Sequence, residues 1–327
     1  MIDATIKLFI ENDQQMKQNF KWENHLIRKF GAFQLALNNQ AVDVKQVKEM
    51  KEYMKLQTSS FSYFRSTNLF PIATALTSNE KPQQLFDQTV YYYEELKKAG
   101  FKRSVYLPYT AYFLATQLQP MEVSKTIEKA MQCFQLMKKN HYWLTSDDDY
   151  MLAIILAYSH DDIEAAVEEM EACYKYLNER GISKGNALQT MSHLLTLSSD
   201  SVSEKCDRLL RYANELKKNK VKLDSYSQPI LALLALLESG GEEVIHTIVE
   251  TDQELASKDG FGNWSLGKAS RNMFSVALVT YCRIQNGSQP AIKAAVQNSI
   301  QSVLLAQQVV MIAAISASTA ASSSSSS

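Results

Sequence analysis

The chain has 327 residues, of which 46% are apolar, enough to bury a sizeable core. Thirty-four Lys and Arg stand against 35 Asp and Glu, and a formal net charge of −1 excludes the basic footprint of a nucleic-acid binder. Asp3, Lys7, Glu11 and Asp13 interrupt the start where a secretory leader would be apolar, so a reducing cytoplasm is the expected compartment.

Residues 3–19 carry Ile6, Phe9 and Met16 at helical spacing. They read as a helix without a partner before it, so residues 1–20 are expected to cap the N-terminal end of a stack. A second helix follows within 20–40 and contains His25. A single His with no acid or Cys cluster beside it is expected to be structural.

The stretch from Pro82 to Phe101 shows the helical pattern most completely. Pro82 suits a first turn, where its missing N–H costs nothing. Phe86, Thr89, Tyr93 and Leu96 share one face at spacings of three and four. Lys97 and Lys98 favour the negative end of the helix dipole, and Gly100 fits the left-handed stop. The pattern returns about every forty residues. Met16, Leu56, Leu96, Met137, Leu177, Leu216 and Ala256 are equivalent, as are Tyr93, Phe134 and Tyr174 three residues before their anchors. Phe61, Phe101, Tyr142 and Val221 hold the register five residues after.

A more apolar helix is expected between successive anchor helices, at 68–77, 106–117, 148–159, 186–198 and 227–238. Short links at 78–81, 119–120, 160–161, 199–201 and 239–241 make antiparallel hairpins. No stretch alternates as a strand should. Cys133, Cys173 and Cys206 occupy helix-repeat positions and, with Cys282, read as small packing residues.

The phrases FKWENHLIRKFGA at 20–32, FSYFRSTNLFPIATAL at 61–76 and YEELKKAGFKRSVYLPYTAYFLA at 93–115 resemble a bacterial family of unknown function, the domain-of-unknown-function family numbered four thousand and three. The Ala-rich, Ser-ending tail is similar to that family too. The resemblance implies a helical bacterial protein of about this size. It supplies no catalytic residue to carry over.

Two clusters invite chemistry. His141, Asp147, Asp148, Asp149, His160, Asp161 and Asp162 suggest a metal site. Asp148 and His160, however, fall at opposite ends of one helix, roughly 18 Å apart at about 1.5 Å per residue. The acids are better read as helix N-terminal caps. GNWSLGK at 262–268 matches most of a phosphate-binding loop, but a helix end precedes it and Ala269 follows Lys268 where Ser or Thr is required. No catalytic, cofactor or metal residue is assigned.

The charges sort by position. Lys97, Lys98, Lys138, Lys139, Arg180, Lys217 and Lys218 crowd the C-terminal ends of the anchor helices, with Arg65, Arg103, Lys184 and Lys222 just beyond. Glu80, Glu122, Asp161, Asp162, Glu164, Asp200, Glu204, Glu242 and Glu243 stand at the other end of each hairpin. Dipole compensation accounts for much of this. The basic set is also the candidate interaction edge for an anionic partner.

The fold expected is all-α: a single domain over residues 1–316, an α-solenoid of about seven hairpins of the HEAT or armadillo kind, with a closed α/α toroid as the alternative. An apolar helix at 290–316 is expected to pack on the last hairpin, with a membrane contact as its alternative, and residues 317–327 to be a disordered Ser tail. The function expected is a non-enzymatic scaffold that offers a concave face or an edge to a protein partner, without nucleic acid or cofactor. Alternatives are a toroid enzyme with a central cavity, and a membrane-associated protein held by its tail.

Overall fold

A computed structural model describes residues 1–237 and 241–286. Among the described residues the chain is helical throughout, with no strand. The helices are α1 (Ile2–Asn19), α2 (His25–Leu37), α3 (Val44–Gln57), α4 (Leu69–Leu76), α5 (Pro82–Lys98), α6 (Leu107–Gln117), α7 (Pro120–Asn140), α8 (Tyr150–Ser159), α9 (Ile163–Glu179), α10 (Asn186–Leu195), α11 (Val202–Lys218), α12 (Ile230–Ala235), α13 (Gly241–Ala256) and α14 (Lys268–Asn286). Short 3-10 turns at Ser66–Asn68 and Asp147–Asp149 lead into α4 and α8. The apolar segment at 290–316 and the Ser tail lie outside the described residues.

The helix ends follow local chemistry. Asp43, Asp162 and Ser201 cap α3, α9 and α11, each accepting a hydrogen bond from a first-turn N–H, and Ser201 forms a reciprocal capping box with Glu204. Pro82 opens α5. Gly100 closes it at φ +101°, where the Phe101 N–H reaches back to the Leu96 carbonyl at 3.1 Å.

Even-numbered and odd-numbered helices differ in burial. Residues 70–76 of α4, 107–114 of α6, 150–157 of α8, 230–237 at α12 and 271–282 of α14 are buried on every side. The odd-numbered helices bury one stripe: Leu85, Phe86, Thr89, Tyr92, Tyr93 and Leu96 in α5, and Val167, Met170, Cys173, Tyr174 and Leu177 in α9. The four Cys are free thiols, all buried.

The chain forms two compact units. The N-terminal unit contains residues 3–131 with 147–151, and the C-terminal unit contains 132–146 and 152–286. In the first, α3 packs on α4 and α5 on α6, while α2 lies against α4 and α3 against α5. In the second, α9 packs on α10, α11 on α12 and α13 on α14; α9, α11 and α13 are neighbours, as are α10, α12 and α14.

Polar groups inside these units tie the pairs together. In the N-terminal unit, Lys29 of α2 meets Asp13 of α1 at 2.5 Å, both nearly inaccessible. Asn68 Nδ2 donates to the carbonyls of Tyr63 at 2.8 Å and Val105 at 2.9 Å. In the C-terminal unit, buried Lys205 of α11 pairs with Glu169 of α9 and donates to the Ser198 carbonyl at 2.8 Å. These buried donors are met by acceptors from another helix or loop.

The packing departs from the expected spacing in particular places. Leu96, Met137, Leu177 and Leu216 are buried, but Leu56 is 82% exposed and Met54 takes the inward place on α3. Phe61 is 91% exposed, and Phe64 fills the core position, edge-on to Phe86 at 5.4 Å and Tyr93 at 5.2 Å. The cause is Arg65. Its guanidinium donates to the carbonyls of Lys55 and Thr58 at the end of α3, which draws the loop back and turns Phe61 outward.

Candidate interaction edge

The basic side chains sit where helix ends put them, but their surroundings differ. In the N-terminal unit, Lys97 pairs with Glu94 at 2.6 Å and Lys98 with Glu95 at 2.7 Å, each partner one turn earlier. Arg65 is engaged with backbone carbonyls of α3. Arg103 lies over the Tyr63 ring at 6.0 Å. Burial raises the Tyr93 phenol above its usual range, with the nearby Arg103 working against it.

In the C-terminal unit, Lys138 lies over the rings of Phe134 and Tyr142 at 5.8 and 5.4 Å. Arg180 stacks on Tyr176 at 3.5 Å. Lys218 pairs with Glu215 at 2.6 Å. Lys139, Lys184, Lys217 and Lys222 are exposed. The Glu residues at the i−3 positions offset part of the basic charge, which column-by-column reading of the Lys and Arg residues alone overlooks.

The acidic ends act largely as caps. Asp162 Oδ1 accepts from the Ala165 N–H at 2.9 Å, and Glu122 Oε2 from the Gln119 N–H at 2.9 Å. Asp200 receives Arg208, and Glu243 receives Arg283 at 2.7 Å. Asp147, Asp148 and Asp149 form a 3-10 turn entering α8. Among the described residues no three His, Cys, Asp or Glu side chains are placed to hold a metal ion.

The loop at 262–268 is closed on itself. The N–H groups of Ser265, Leu266 and Gly267 all donate to the Gly262 carbonyl, at 3.2, 3.0 and 3.4 Å. A phosphate cradle needs such amides pointing at the ligand. Buried Arg271 of α14 fixes the loop through the Phe261 carbonyl and Asn263, while holding Asp252 of α13 at 2.7 Å.

The histidines differ in their surroundings, and His246 is exposed beside Glu250 at 3.2 Å. His25 is the first residue of α2. His160 bridges the carbonyls of Leu156 and Thr196 at 3.1 and 2.9 Å. His141 meets Glu171 at 3.0 Å and packs on Tyr174. His193 is sealed from solvent, and burial depresses its pKa to about 3, with His141 adding to the effect.

Residue spacing missed the exposed aromatic residues. All three Trp stand in loops that follow odd-numbered helices: Trp22 after α1, Trp143 after α7 and Trp264 after α13. Trp22 and Trp264 are fully exposed and Trp143 is 93% exposed. Phe61, Tyr142 and Tyr226 join them in equivalent loops. The signal was present, since these residues lie between Lys and Arg of helix ends; the helical spacing placed Phe61 and Tyr142 in an inward column instead.

Residues 12–309 match the family model described as "Protein of unknown function (DUF4003)", so the chain belongs to that family. It is also similar to the uncharacterized protein YeaA of Bacillus subtilis (strain 168), at 28% identity over 92% of this chain and 91% of that protein. No solved structure matches.

Proposed function

We propose that this member of the family is a non-enzymatic helical-repeat scaffold, of the stacked-hairpin kind, that holds a protein partner at the loop ends of its odd-numbered helices. The observation that carries the reading is the division of burial. Residues 70–76 of α4, 107–114 of α6, 150–157 of α8, 230–237 at α12 and 271–282 of α14 leave no open face, which favours an edge over a concave groove. Several of the acids described above are engaged in caps and ion pairs, and Trp22, Phe61, Tyr142, Trp143, Tyr226 and Trp264 stand exposed in loops. Aromatic residues are the commonest anchors of protein interfaces.

In the C-terminal unit the edge comprises Lys138, Lys139, Lys184, Lys217 and Lys222 with Tyr142 and Trp143. Full-length protein crosslinked in its native cell tests it. One dominant protein partner is expected, released steeply by salt. Replacing Lys138, Lys139, Lys184 and Lys222 with Glu should abolish the crosslink, while Asp161→Lys with Glu242→Lys at the opposite helix ends should keep it. Equal loss in both variants, or a partner insensitive to either, would refute the edge.

A further inference from the structure

Within the N-terminal unit, two loops present apolar side chains to solvent in a fixed way. The loop after α1 carries Trp22, fully exposed. Arg28 of α2 pins it, donating to the carbonyls of Phe20 at 3.1 Å and Glu23 at 2.5 Å. Phe20 is buried beneath the ammonium groups of Lys48 and Lys51, at 5.8 and 5.9 Å from its ring centre. The loop after α3 carries Phe61, and Arg65 pins it to the Lys55 and Thr58 carbonyls. Leu56 is exposed at the same helix end. A depression of about 360 Å³ lies between Trp22 and the α3 residues Lys48, Lys51, Glu52 and Lys55.

Trp22, Leu56 and Phe61 therefore stand outward around α3 with exposed Lys21 and Lys48, while Lys51 pairs with Glu23 and Lys55 with Glu52 at 2.6 Å. Arg103, stacked near Tyr63, brings the loop after α5 to the same patch. The cost of holding the aromatic groups in water is met by the arginine clamps, so their exposure is preorganised.

We infer that this patch docks the protein onto the surface of an anionic lipid bilayer. Trp, Phe and Leu at loop tips enter the interfacial layer, where amphipathic rings are favoured, and the surrounding Lys groups meet anionic headgroups. Exposed Lys21 and Lys48 supply unpatterned positive charge, which is all that a fluid headgroup layer requires. Among the described residues no helix is long and apolar enough to cross a membrane, so the contact is peripheral. The lipid contact goes beyond the scaffold reading and uses residues of the other unit.

The test uses the full chain with Trp143→Phe and Trp264→Phe, which leaves Trp22 as the single tryptophan. Vesicles of phosphatidylcholine with phosphatidylglycerol should shift its emission to shorter wavelength at low salt. Pure phosphatidylcholine, or high salt, should not. Phe61→Ser with Leu56→Ser, and separately Lys21→Gln with Lys48→Gln, should each weaken vesicle binding about tenfold or more. These side chains are at the surface, and unchanged circular dichroism will show that the variants fold. An unshifted Trp22 overturns the inference, even if the protein sediments with vesicles, because the contact would then lie elsewhere. Equal binding to neutral vesicles, unchanged binding by the variants, or protection of Trp22 only by a soluble acidic protein overturns it as well.

Discussion

Arg28, Arg65 and Arg271 act alike, each turning its guanidinium onto backbone carbonyls and fixing a loop that carries an exposed aromatic residue. Five donors in a rigid fork suit that role, and Lys cannot reproduce it. Two buried titratable sites make the residue scale testable. His193 has an ordinary pKa of 6.5 and a folded value near 3. Above pH 6.5 it is neutral in both states. Below that the unfolded chain takes up a proton that the folded chain excludes, so folded stability falls as pH drops from about 6.5 towards 3. The loss should reach on the order of 4 kcal/mol at about 1.4 kcal/mol per unit. His193→Leu should remove this component, so the stability difference between the two proteins should change across that window. Parallel pH curves would show that His193 is solvated. The buried Lys29–Asp13 pair gives the second test. Lys29→Met should cost about 3–5 kcal/mol by leaving a buried carboxylate alone, and adding Asp13→Leu should recover most of it. Denaturant titration reads both. The sequence marks these residues as polar within helical stripes, but burial of His193 and pairing of Lys29 depend on which helix lies opposite, and spacing along one helix does not contain that information.

At the scale of elements, caps and apolar spacing made most helices legible. Pro82, Gly100 and Asp162 mark ends that hold in the structure, whereas the Ser201–Glu204 box went unread. Leu56 was misplaced because it lies off the Val47, Met50 and Met54 stripe of α3, and Phe61 because spacing along the helix does not carry past its end, where Arg65 reaches ten residues back to the Lys55 carbonyl. That difference predicts opposite outcomes for two neighbouring aromatic residues. Phe64→Ala should cost about 3–5 kcal/mol, as should Tyr93→Ala, since both rings are buried and Phe64 packs edge-on against Phe86 and Tyr93. Phe61→Ala and Ser62→Ala should lie within about 0.5 kcal/mol of the parent. Comparable losses at Phe61 and Phe64 would return Phe61 to the core. The loop at 262–268 shows the reverse case, in which a motif was legible and its context decided against it. Calorimetric titration with Mg²⁺ and ATP should give no heat of binding, and Lys268→Ala should change nothing. Nucleotide binding lost in that variant would contradict the closed turn around the Gly262 carbonyl.

At the scale of the whole molecule, the scaffold proposed above would meet its partner through loops and the exposed faces of odd-numbered helices. Charge sorting was readable from the chain; its partial cancellation by Glu94, Glu95 and Glu215 appears only once the i−3 pairs are seen in place. The balanced net charge therefore coexists with local patches in which aromatic residues, rather than cations alone, would supply the contact. Hydrogen exchange on the intact chain tests the central claim directly. The amides of 70–76, 107–114, 150–157 and 271–282 should exchange slowest, opening only with the whole fold, while the loops bearing Trp22, Phe61, Trp143 and Trp264 exchange fastest. If the even-numbered helices instead exchange as rapidly as those loops, they line an open groove, and the assignment of contact to the loop ends is wrong.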